Sequence, residues 1–363
     1  MQKIFRKMAL FAVVYLAFYL ITHPQSGLDS GYEAISLCGA SVIPALFPYL
    51  ICSGFVVKSG FANIFSRYLS PVMRPLFGVP GSGAIAFVLG SVSGYPIGAV
   101  CVRDLYSSGE CTRDEAQRMI AFCNNSGPLF VMSVLGYGFL GDAALGRLLY
   151  ISHLFAAVLT GIVLRTFGKG KTQTTRELPK SLSIKNENPL RTIGEVMDSS
   201  VFTILKICGF VIFFSVFAKS LPETPISPFC HSALEITGGL AKLSRADINF
   251  SLKLSLISFF TAFSGLSVLL QVGSVVSDTD LSLKPYFFGK LIQGVFSFTI
   301  TKILVSRLPK ATDVFAKGAQ WNVLHTPHSA FVFSICMLVF GTLVLALLLI
   351  FSVLHFNKFK KTH

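Results

Sequence analysis

Long apolar segments alternate with short polar connections along the whole chain. Most of the segments approach or exceed the roughly 20 residues that an α-helix needs to cross a bilayer. Unpaired backbone N–H and C=O groups are costly in hydrocarbon, so segments that cross it are expected to be helical. The pattern predicts an all-α polytopic membrane protein. The apolar segments are 8–22, 34–57, 82–102, 119–140, 145–167, 198–218, 250–276, 286–305 and 329–355.

Two of these segments have glycine, serine or proline at their centre. The segment 82–102 contains "VLGSVSGYPIGAV", and 250–276 contains "TAFSGLSVL". Non-helical backbone at that depth is tolerated only against protein or a water-filled cavity. We therefore predict re-entrant helical hairpins at about 82–102 and 250–276. The alternative for the first segment is that Gly90, Gly94 and Gly98 only form a face for close helix contact.

A third segment, "RMIAFCNNSGPLFVMSVLGYG", is interrupted by two amides and a Gly-Pro pair. Thr112 followed by Glu115 is the pattern of a capping box, which predicts a helix that runs to about Asn124. Pro128 cannot continue that helix, but it suits the first position of a new one. The second half-helix would offer unpaired N–H groups to an anion. The side chains of Asn124 and Asn125 either bind the solute or only satisfy the broken backbone.

Composition and charge agree with a membrane protein and restrict its partners. Hydrophobic residues make up 52% of the 363 and charged residues 13%, and the mean hydropathy is +0.67. A soluble domain is usually nearer a quarter charged. The net charge of +14 comes mainly from short connections, so we interpret it as the positive-inside pattern and not as a nucleic-acid surface. The expected partners are the lipid bilayer and a small anionic solute, and an oligomer is left open.

Three basic stretches set the predicted orientation. The N-terminus, the 58–80 connection and the polar linker 168–197 should all lie inside, and the linker carries six basic residues against three acidic ones. This arrangement works only if 82–102 enters and leaves the membrane on the same side. With 250–276 also re-entrant, the basic tail "NKFKKTH" would emerge outside, against the charge rule.

The second half of the chain weakly repeats the first. "SVIPALFPYLICSGFVV" is similar to "SVFTILKICGFVIFFSV", and the Ser-Gly pair at 93–94 aligns with the pair at 264–265. The two copies would be inverted in the membrane, which is the architecture of many secondary transporters with a midplane solute site. The predicted order is an N-terminal transmembrane helix, a first repeat, a cytoplasmic basic linker and a second repeat, at residues 1–30, 31–168, 169–197 and 198–363.

No catalytic, metal or cofactor site is indicated by the sequence. The eight cysteines are scattered, with no C-x-x-C pair. A G-x-G-x-x-G match at 136–141 lacks the preceding strand of a dinucleotide site. We therefore expect neither an enzyme nor a bound cofactor or metal. Lys206, Lys290 and Lys302 lie in apolar segments, where a lysine either faces a cavity or extends to the interface.

Four motifs resemble a known family. "GSVSGYPIGA", "EAQRMIAFCNNSGPLF", "LEITGG" and "SGLSVLLQVGS" occur in the order typical of sporulation integral membrane proteins of the YlbJ type. These proteins form a branch of the nucleoside-recognition, or Gate, family, which is related to concentrative nucleoside transporters. The resemblance covers about residues 34–310 and implies two inverted Gate-type repeats with a solute site. With Tyr95 and Ser267 from the same motifs, the predicted substrate-binding residues are Ser93, Gly94, Tyr95, Asn124, Asn125, Ser126, Glu235, Thr237, Ser264, Gly265, Ser267 and Gln271.

The resemblance also implies a biological role. It implies an endospore-forming Firmicute, a mother-cell-derived membrane around the forespore, and the movement of dipicolinic acid toward the spore. Three hypotheses remain: a transporter of a small anion, a nucleoside transporter or receptor, and a non-transporting scaffold for spore assembly. Broken helices with amides at the break favour transport, because a scaffold does not need them. The second copy has only Gln293 where the first has the Asn pair, so the predicted site is asymmetric.

The predicted orientation can be tested by labelling the basic linker. A cysteine that replaces Lys180, in a variant without the native cysteines, should not react with a membrane-impermeant thiol reagent added to intact cells, because the positive-inside rule places it in the cytoplasm. The same variant should react after permeabilisation. Labelling in intact cells would put the linker outside and overturn the predicted count of crossings.

Overall fold

The computed structural model describes residues 2–58, 61–167 and 189–307. Within these ranges the protein is helical and contains no β-strand. Two stretches, Cys38–Val42 and Leu129–Phe139, have π-helical hydrogen bonding. The α-helices are α1 Gln2–Thr22, α2 Pro24–Leu37, α3 Ile43–Lys58, α4 Phe61–Phe77, α5 Gly83–Ser93, α6 Ile97–Ser107, α7 Arg113–Cys123, α8 Ala143–Phe167, α9 Pro189–Lys219, α10 Ser227–Leu234, α11 Ile236–Arg245, α12 Phe250–Phe263, α13 Gly265–Val275 and α14 Leu283–Ser306.

The molecule has the dimensions and the surface of a membrane protein. Four described stretches are long and apolar enough to cross a bilayer: Ala143–Thr166, Arg191–Lys219, Phe250–Val275 and Leu283–Ser306. Large apolar side chains on the outside of the helices are exposed, as Phe202 is at 68%. Exposed aromatic and aliphatic side chains on spanning helices are stable in lipid, where water does not oppose them. The prediction of an all-α polytopic membrane protein is confirmed.

The first predicted hairpin is present. Helices α5 and α6 lie along each other and are joined at Gly94, whose φ of 92° is in the left-handed region that favours glycine. The alternative, a glycine face for close contact, also holds for the same segment. A Cβ atom added to Gly90 would lie 1.9 Å from the Cys123 carbonyl oxygen, and one added to Gly98 would lie 2.2 Å from it. The hairpin is therefore held directly against the C-terminal end of α7.

The capping box and the break after α7 are confirmed. The Glu115 N–H donates to the Thr112 hydroxyl at 3.3 Å, and the Glu115 carboxylate accepts the Thr112 N–H at 2.8 Å. Such an N-cap stabilises a helix by about 1 kcal/mol. The helix ends at Cys123, and the chain resumes helical form only at Leu129, after Pro128. The segment is therefore a broken helix.

The second predicted hairpin is wrong in position. Helices α12 and α13, which cover the 250–276 segment, do not fold back along each other, whereas α10 and α11 do. The lengths explain the difference. The 14 and 11 residues of α12 and α13 add up to about 38 Å of helix, enough to cross the membrane, whereas α10 and α11 have 8 and 10 residues, about 12 and 15 Å, each only part of its depth. The second hairpin is Ser227–Arg245, and 250–276 is a second broken helix.

This correction changes how the repeats align. Each half of the protein now has a helical hairpin, a broken helix and one long helix in that order: α5/α6, α7 with Leu129–Phe139, and α8, then α10/α11, α12/α13, and α14. The Ser264-Gly265 pair therefore corresponds to the Asn124–Pro128 break and not to Ser93-Gly94. The two Ser-Gly pairs are alike in sequence, but they stand in different elements.

The correction also removes the conflict at the C-terminus. With 250–276 counted as a crossing, one more passage is made before the tail. The apolar stretch 329–355 lies outside the described residues, but as a predicted crossing it now returns the basic tail to the inside, as the charge rule prefers. At the other boundary, α9 begins at Pro189, within the predicted linker 169–197; residues 168–188 lie outside the described ranges.

Gly98 provides a test of the close contact between the first hairpin and α7. Gly98→Ala should lower the thermal stability of the purified protein in detergent, because the new methyl group would overlap backbone atoms of Cys123, and overpacking of this kind costs about 1–3 kcal/mol. Gly209→Ala is the matched control: it lies within α9, and its new methyl group would meet nothing within 4 Å. Equal melting temperatures for the two variants would contradict the contact.

Candidate functional site

The four interruptions of the helices meet in the interior. The interruptions are the tip of the first hairpin at Gly94, the first broken helix at Asn124–Pro128, the tip of the second hairpin at Glu235, and the second broken helix at Ser264-Gly265. In each half, one hairpin tip is in contact with one broken helix. The two halves are then joined by hydrogen bonds between the broken helices.

Backbone contact joins each hairpin tip to a broken helix. A Cβ atom on Gly94 would lie 3.1 Å from the Gly127 nitrogen, and one on Gly265 would lie 3.2 Å from the carbonyl oxygens of Ser232 and Ala233. Ser264 and Gly265 both have positive φ, 69° and 76°. A left-handed serine is uncommon, and it turns the chain so that the second half-helix can start at once.

Ser126 connects the first broken helix to both halves. Its hydroxyl lies 2.8 Å from the Tyr95 hydroxyl of the first hairpin and 3.2 Å from the Thr261 carbonyl oxygen of α12, so the one Ser126 hydroxyl hydrogen has two acceptors within reach. Its backbone N–H donates to His153 Nε2 at 3.1 Å. Tyr95 is half-buried, so part of its ring is accessible beside the break.

Tyr286 on α14 bridges the two broken helices. The Asn124 amide donates to the Tyr286 hydroxyl at 3.1 Å, and the same hydroxyl interacts with Ser264. The Asn124 carbonyl oxygen accepts the Ala99 N–H of α6 at 3.4 Å. Predicted site residues from both repeats therefore lie within a few hydrogen bonds of one another.

The Asn125 side chain is held entirely by protein partners. Its NH₂ group donates to the Ser91 hydroxyl at 3.1 Å and to the Phe122 carbonyl oxygen at 2.9 Å, and its carbonyl oxygen accepts from Gln293 at 2.9 Å. Asn125 is 0% exposed. These contacts correspond to the second alternative for the amides, in which they satisfy a broken backbone in hydrocarbon.

Glu235 occupies the N-terminus of its own half-helix. Its carboxylate accepts the backbone N–H groups of Thr237 at 2.8 Å and Gly238 at 2.7 Å, and its side chain is buried. An acidic residue in this place complements the helix dipole. The N-terminus of α11 is therefore already neutralised, and the second hairpin offers no free anion position there. The N-terminus of Leu129–Phe139 has no such acidic residue in its first turn.

Polar atoms without a partner remain near the first break. Among the residues that the structure describes, the Ser93 hydroxyl and His153 Nδ1 are buried and have no hydrogen-bond partner. His153 Nε2 accepts the Ser126 N–H, so Nδ1 carries the hydrogen in a neutral ring. A buried donor without a partner costs about 1–3 kcal/mol, which makes these atoms candidates for contact with a solute or water. Across the described ranges, no three His, Cys, Asp or Glu side chains are grouped as metal ligands.

His153 is not among the site residues predicted from the sequence. It lies in the apolar run of α8 and is 1% exposed. An ionisable residue within a membrane segment usually faces the interior or a functional site. That rule would have identified His153, just as it identified the three lysines.

The three membrane lysines have different environments. Lys290 is 1% exposed, and its ammonium donates to the Gln293 carbonyl oxygen at 2.8 Å, which links it through Gln293 to Asn125. Lys302 is exposed, with its ammonium 5.9 Å from the centre of the Phe298 ring. Lys206 lines a groove on the side of α9. Lys290 is therefore held inside the protein by a polar partner, whereas the exposed Lys206 side chain borders the groove.

Gln271 and Ser267 lie away from the meeting point of the breaks. Gln271 donates to the Ser267 hydroxyl at 3.3 Å, one turn back along α13. Gln271 also lines the groove that contains Lys206. The groove has a volume of about 310 Å³ and lies between α6, α9 and α13. Of the predicted set, Gln271 is therefore the residue that connects the breaks to this groove.

Charged contacts link the two halves at the predicted inner side. Arg113 at the start of α7 forms an ion pair with Asp280, in the loop between α13 and α14, at 2.8 Å. The Tyr106 hydroxyl donates to the same carboxylate at 2.7 Å. This hydrogen bond and the Arg113 charge lower the pKa of the Asp280 carboxyl below its ordinary value. The contact fastens the first hairpin and first broken helix to the second repeat.

Comparison with known proteins agrees with this architecture. The family model described as nucleoside recognition (Gate) matches residues 40–143, which include the first hairpin and the first broken helix. The sporulation integral membrane protein YlbJ of Bacillus subtilis (strain 168) is 30% identical over 328 residues, which cover 80% of each chain. No solved structure matches the chain. The chain therefore belongs to the family of the sporulation integral membrane protein YlbJ and contains a nucleoside-recognition (Gate) region.

Proposed function

We propose that the protein transports a small anion across a membrane during sporulation, and that the anion is dipicolinate. The observation that carries the proposal is the meeting of four helix interruptions, two from each half, at one place in the interior. Secondary transporters place their solute sites at such interruptions, between inverted repeats near the midplane. Alternating access would expose this place first to one side of the membrane and then to the other.

A scaffold role explains less of the structure. Every interruption of a helix in hydrocarbon has to be satisfied by other groups, and here Asn124, Asn125 and Glu235 are all used for that purpose. Continuous helices would serve a scaffold without these buried polar groups. A transporter needs them, because polar backbone at the midplane can bind and release a solute.

The chemistry of the first break favours a carboxylate. The half-helix Leu129–Phe139 follows a break that lies against the Ser93 backbone, and it has no acidic residue at its N-cap or in its first turn, whereas Glu235 is the N-cap of α11. The ring of Tyr95, a residue that is mostly buried but partly exposed, could stack on the pyridine ring of dipicolinate. The name of the matched region favours a nucleoside as the second candidate, since hydroxyl and amide groups also recognise neutral bases.

The proposed location comes from the role in sporulation that we propose. A sporulation membrane protein that moves dipicolinate toward the spore would be placed in the mother-cell-derived membrane around the forespore. In that membrane the basic linker would face the mother-cell cytoplasm, and the solute would leave the mother cell through the protein.

Ser93 and Ser82 form a matched pair for testing the site. Both hydroxyls are buried without a hydrogen-bond partner, but only Ser93 lies beside the break. Ser93→Ala should reduce dipicolinate transport about tenfold, the loss of about one hydrogen bond to a charged group, with no loss of protein level. Ser82→Ala should transport normally. Equal transport by both variants would remove Ser93 from the solute site.

The identity of the solute can be tested with the purified protein in proteoliposomes. Dipicolinate should accumulate in loaded vesicles faster than in empty ones, and uridine should not compete with it. In the organism, a full deletion should abolish dipicolinate accumulation in spores. Uptake of uridine instead would favour the nucleoside candidate, and normal dipicolinate in the deletion strain would exclude dipicolinate as the physiological solute.

A further inference from the structure

A polar groove runs along one side of α9, outside the place where the breaks meet. Its deeper part, about 310 Å³, is lined by α6, α9 and α13 and includes Lys206 and Gln271. A second cavity of about 340 Å³ lies between α3, α6 and α9 and shares Arg103 and Thr203 with the first. The two cavities therefore adjoin each other at these two residues, and together they form the groove.

The groove reaches from the predicted inner side toward the middle of the membrane. Helix α9 follows the basic linker and has 31 residues. Lys206 is 17 positions after Pro189, which corresponds to about 26 Å along an axis of about 46 Å. Pro96, next to the tip of the first hairpin, forms part of the same wall. A solute that enters from the inner side along α9 would therefore arrive beside the first break.

The charges of the groove are mainly positive. Lys206 comes from the second repeat and Arg103 from the first, and both line the deeper part. Asp104 is the acidic side chain of the adjoining part, and it is bonded to Nε and Nη2 of Arg103 at 2.8 and 2.6 Å. Lys206 forms no ion pair among the contacts of the described residues. The groove therefore carries a surplus of one positive charge, on Lys206.

A lysine in the middle of a membrane helix calls for an explanation. An ammonium at that depth is costly unless it faces a cavity, a partner or the interface. Lys206 is about 12 Å of helix from the start of the apolar segment 198–218 and about 18 Å from its end, and its exposed side chain borders the groove. Since no described acidic side chain neutralises it, a bound anion would supply the missing charge.

We propose that this groove is an anion site on the inner side, in which Lys206 pairs with one carboxylate of the solute while Arg103 and Gln271 hold the other. The inference rests on the proposed function for the identity of the solute. A small aromatic dicarboxylate carries two charges held apart by a flat ring, one for Lys206 and one for Arg103. The solute would bind here before it reaches the first break.

The test is equilibrium binding to the purified full chain in detergent at low ionic strength. The probes are dipicolinate, picolinate with one carboxylate fewer, and uridine without charge. Lys206→Gln should weaken dipicolinate binding about tenfold. It should also reduce the ratio of the dipicolinate affinity to the picolinate affinity and leave the uridine affinity unchanged. Lys206→Arg should bind dipicolinate nearly as well as the wild type. Lys302→Gln is the matched control, an exposed membrane lysine outside the groove, and should bind normally.

A second variant, Ser274→Asp, keeps the groove testable if Lys206→Gln misfolds. Ser274→Asp adds a negative charge to the groove. It should not remove the hydrogen bond from the Ser277 hydroxyl, because Ser274 accepts that bond through its backbone carbonyl oxygen. It should also weaken dipicolinate binding and not uridine binding. Loss by both Lys206→Gln and Ser274→Asp, with normal binding by Lys302→Gln, would support the groove.

The outcomes separate this inference from the proposed function. Dipicolinate binding that is unchanged in Lys206→Gln and Ser274→Asp would overturn the groove while the transporter proposal stands. Isophthalate, a second aromatic dicarboxylate, serves as a further probe. If the wild type binds isophthalate but not dipicolinate, and Lys206→Gln weakens the binding of isophthalate, the groove is supported and dipicolinate is excluded as the solute. Failure of the wild type to bind either dicarboxylate would overturn the groove.

Discussion

The absence of water in hydrocarbon is the constraint on which the rest of this structure depends. The helices are interrupted at four places, two hairpin tips and two broken helices. Each interruption leaves unpaired backbone groups that other parts of the protein have to satisfy. Glycines at Gly94 and Gly127 let one interruption lie directly against another. The side chains of Asn125 and Glu235 close the rest. The breaks meet because groups at one break satisfy the unpaired polar groups at another.

The two halves satisfy their interrupted helices with different residues, and this difference bears on where the proposed anion would bind. The first half uses neutral amides at Asn124 and Asn125, whereas the second places the carboxylate of Glu235 on the N-terminus of α11. A fixed negative charge repels a second one. The two repeats are therefore alike in their order of elements but differ in the residues at their breaks. Gln293, which was predicted to match the Asn pair, lies in α14, whereas the break that matches that pair is Ser264-Gly265.

Much of this could be predicted from sequence, but not the second hairpin. The capping box at Thr112, the Asn-Asn-Ser-Gly-Pro break and the first hairpin all have local signals, and the structure contains them. The second hairpin, Ser227–Arg245, has no continuous apolar run, because its short helices are covered by protein and interrupted by polar residues. Ser264-Gly265 resembled Ser93-Gly94 in letters, yet a positive φ can either reverse a chain or only bend it. Lys206 was ambiguous because its environment depends on which helices flank α9.

The way in which the helices are grouped indicates where the protein can move. Helices α7, α8, α12 and α14 form one closely packed body, joined by Gln293 to Asn125 and by Ser258 to Ser297 and Thr301. Helices α2, α3 and α9 pack on one another as a second body, which touches the first mainly through α6 and α13. The groove with Lys206 lies on that boundary. A shift along this boundary would leave the buried hydrogen bonds of the breaks intact. A solute that neutralises Lys206 at the boundary would therefore bind where the two bodies can move without breaking those hydrogen bonds.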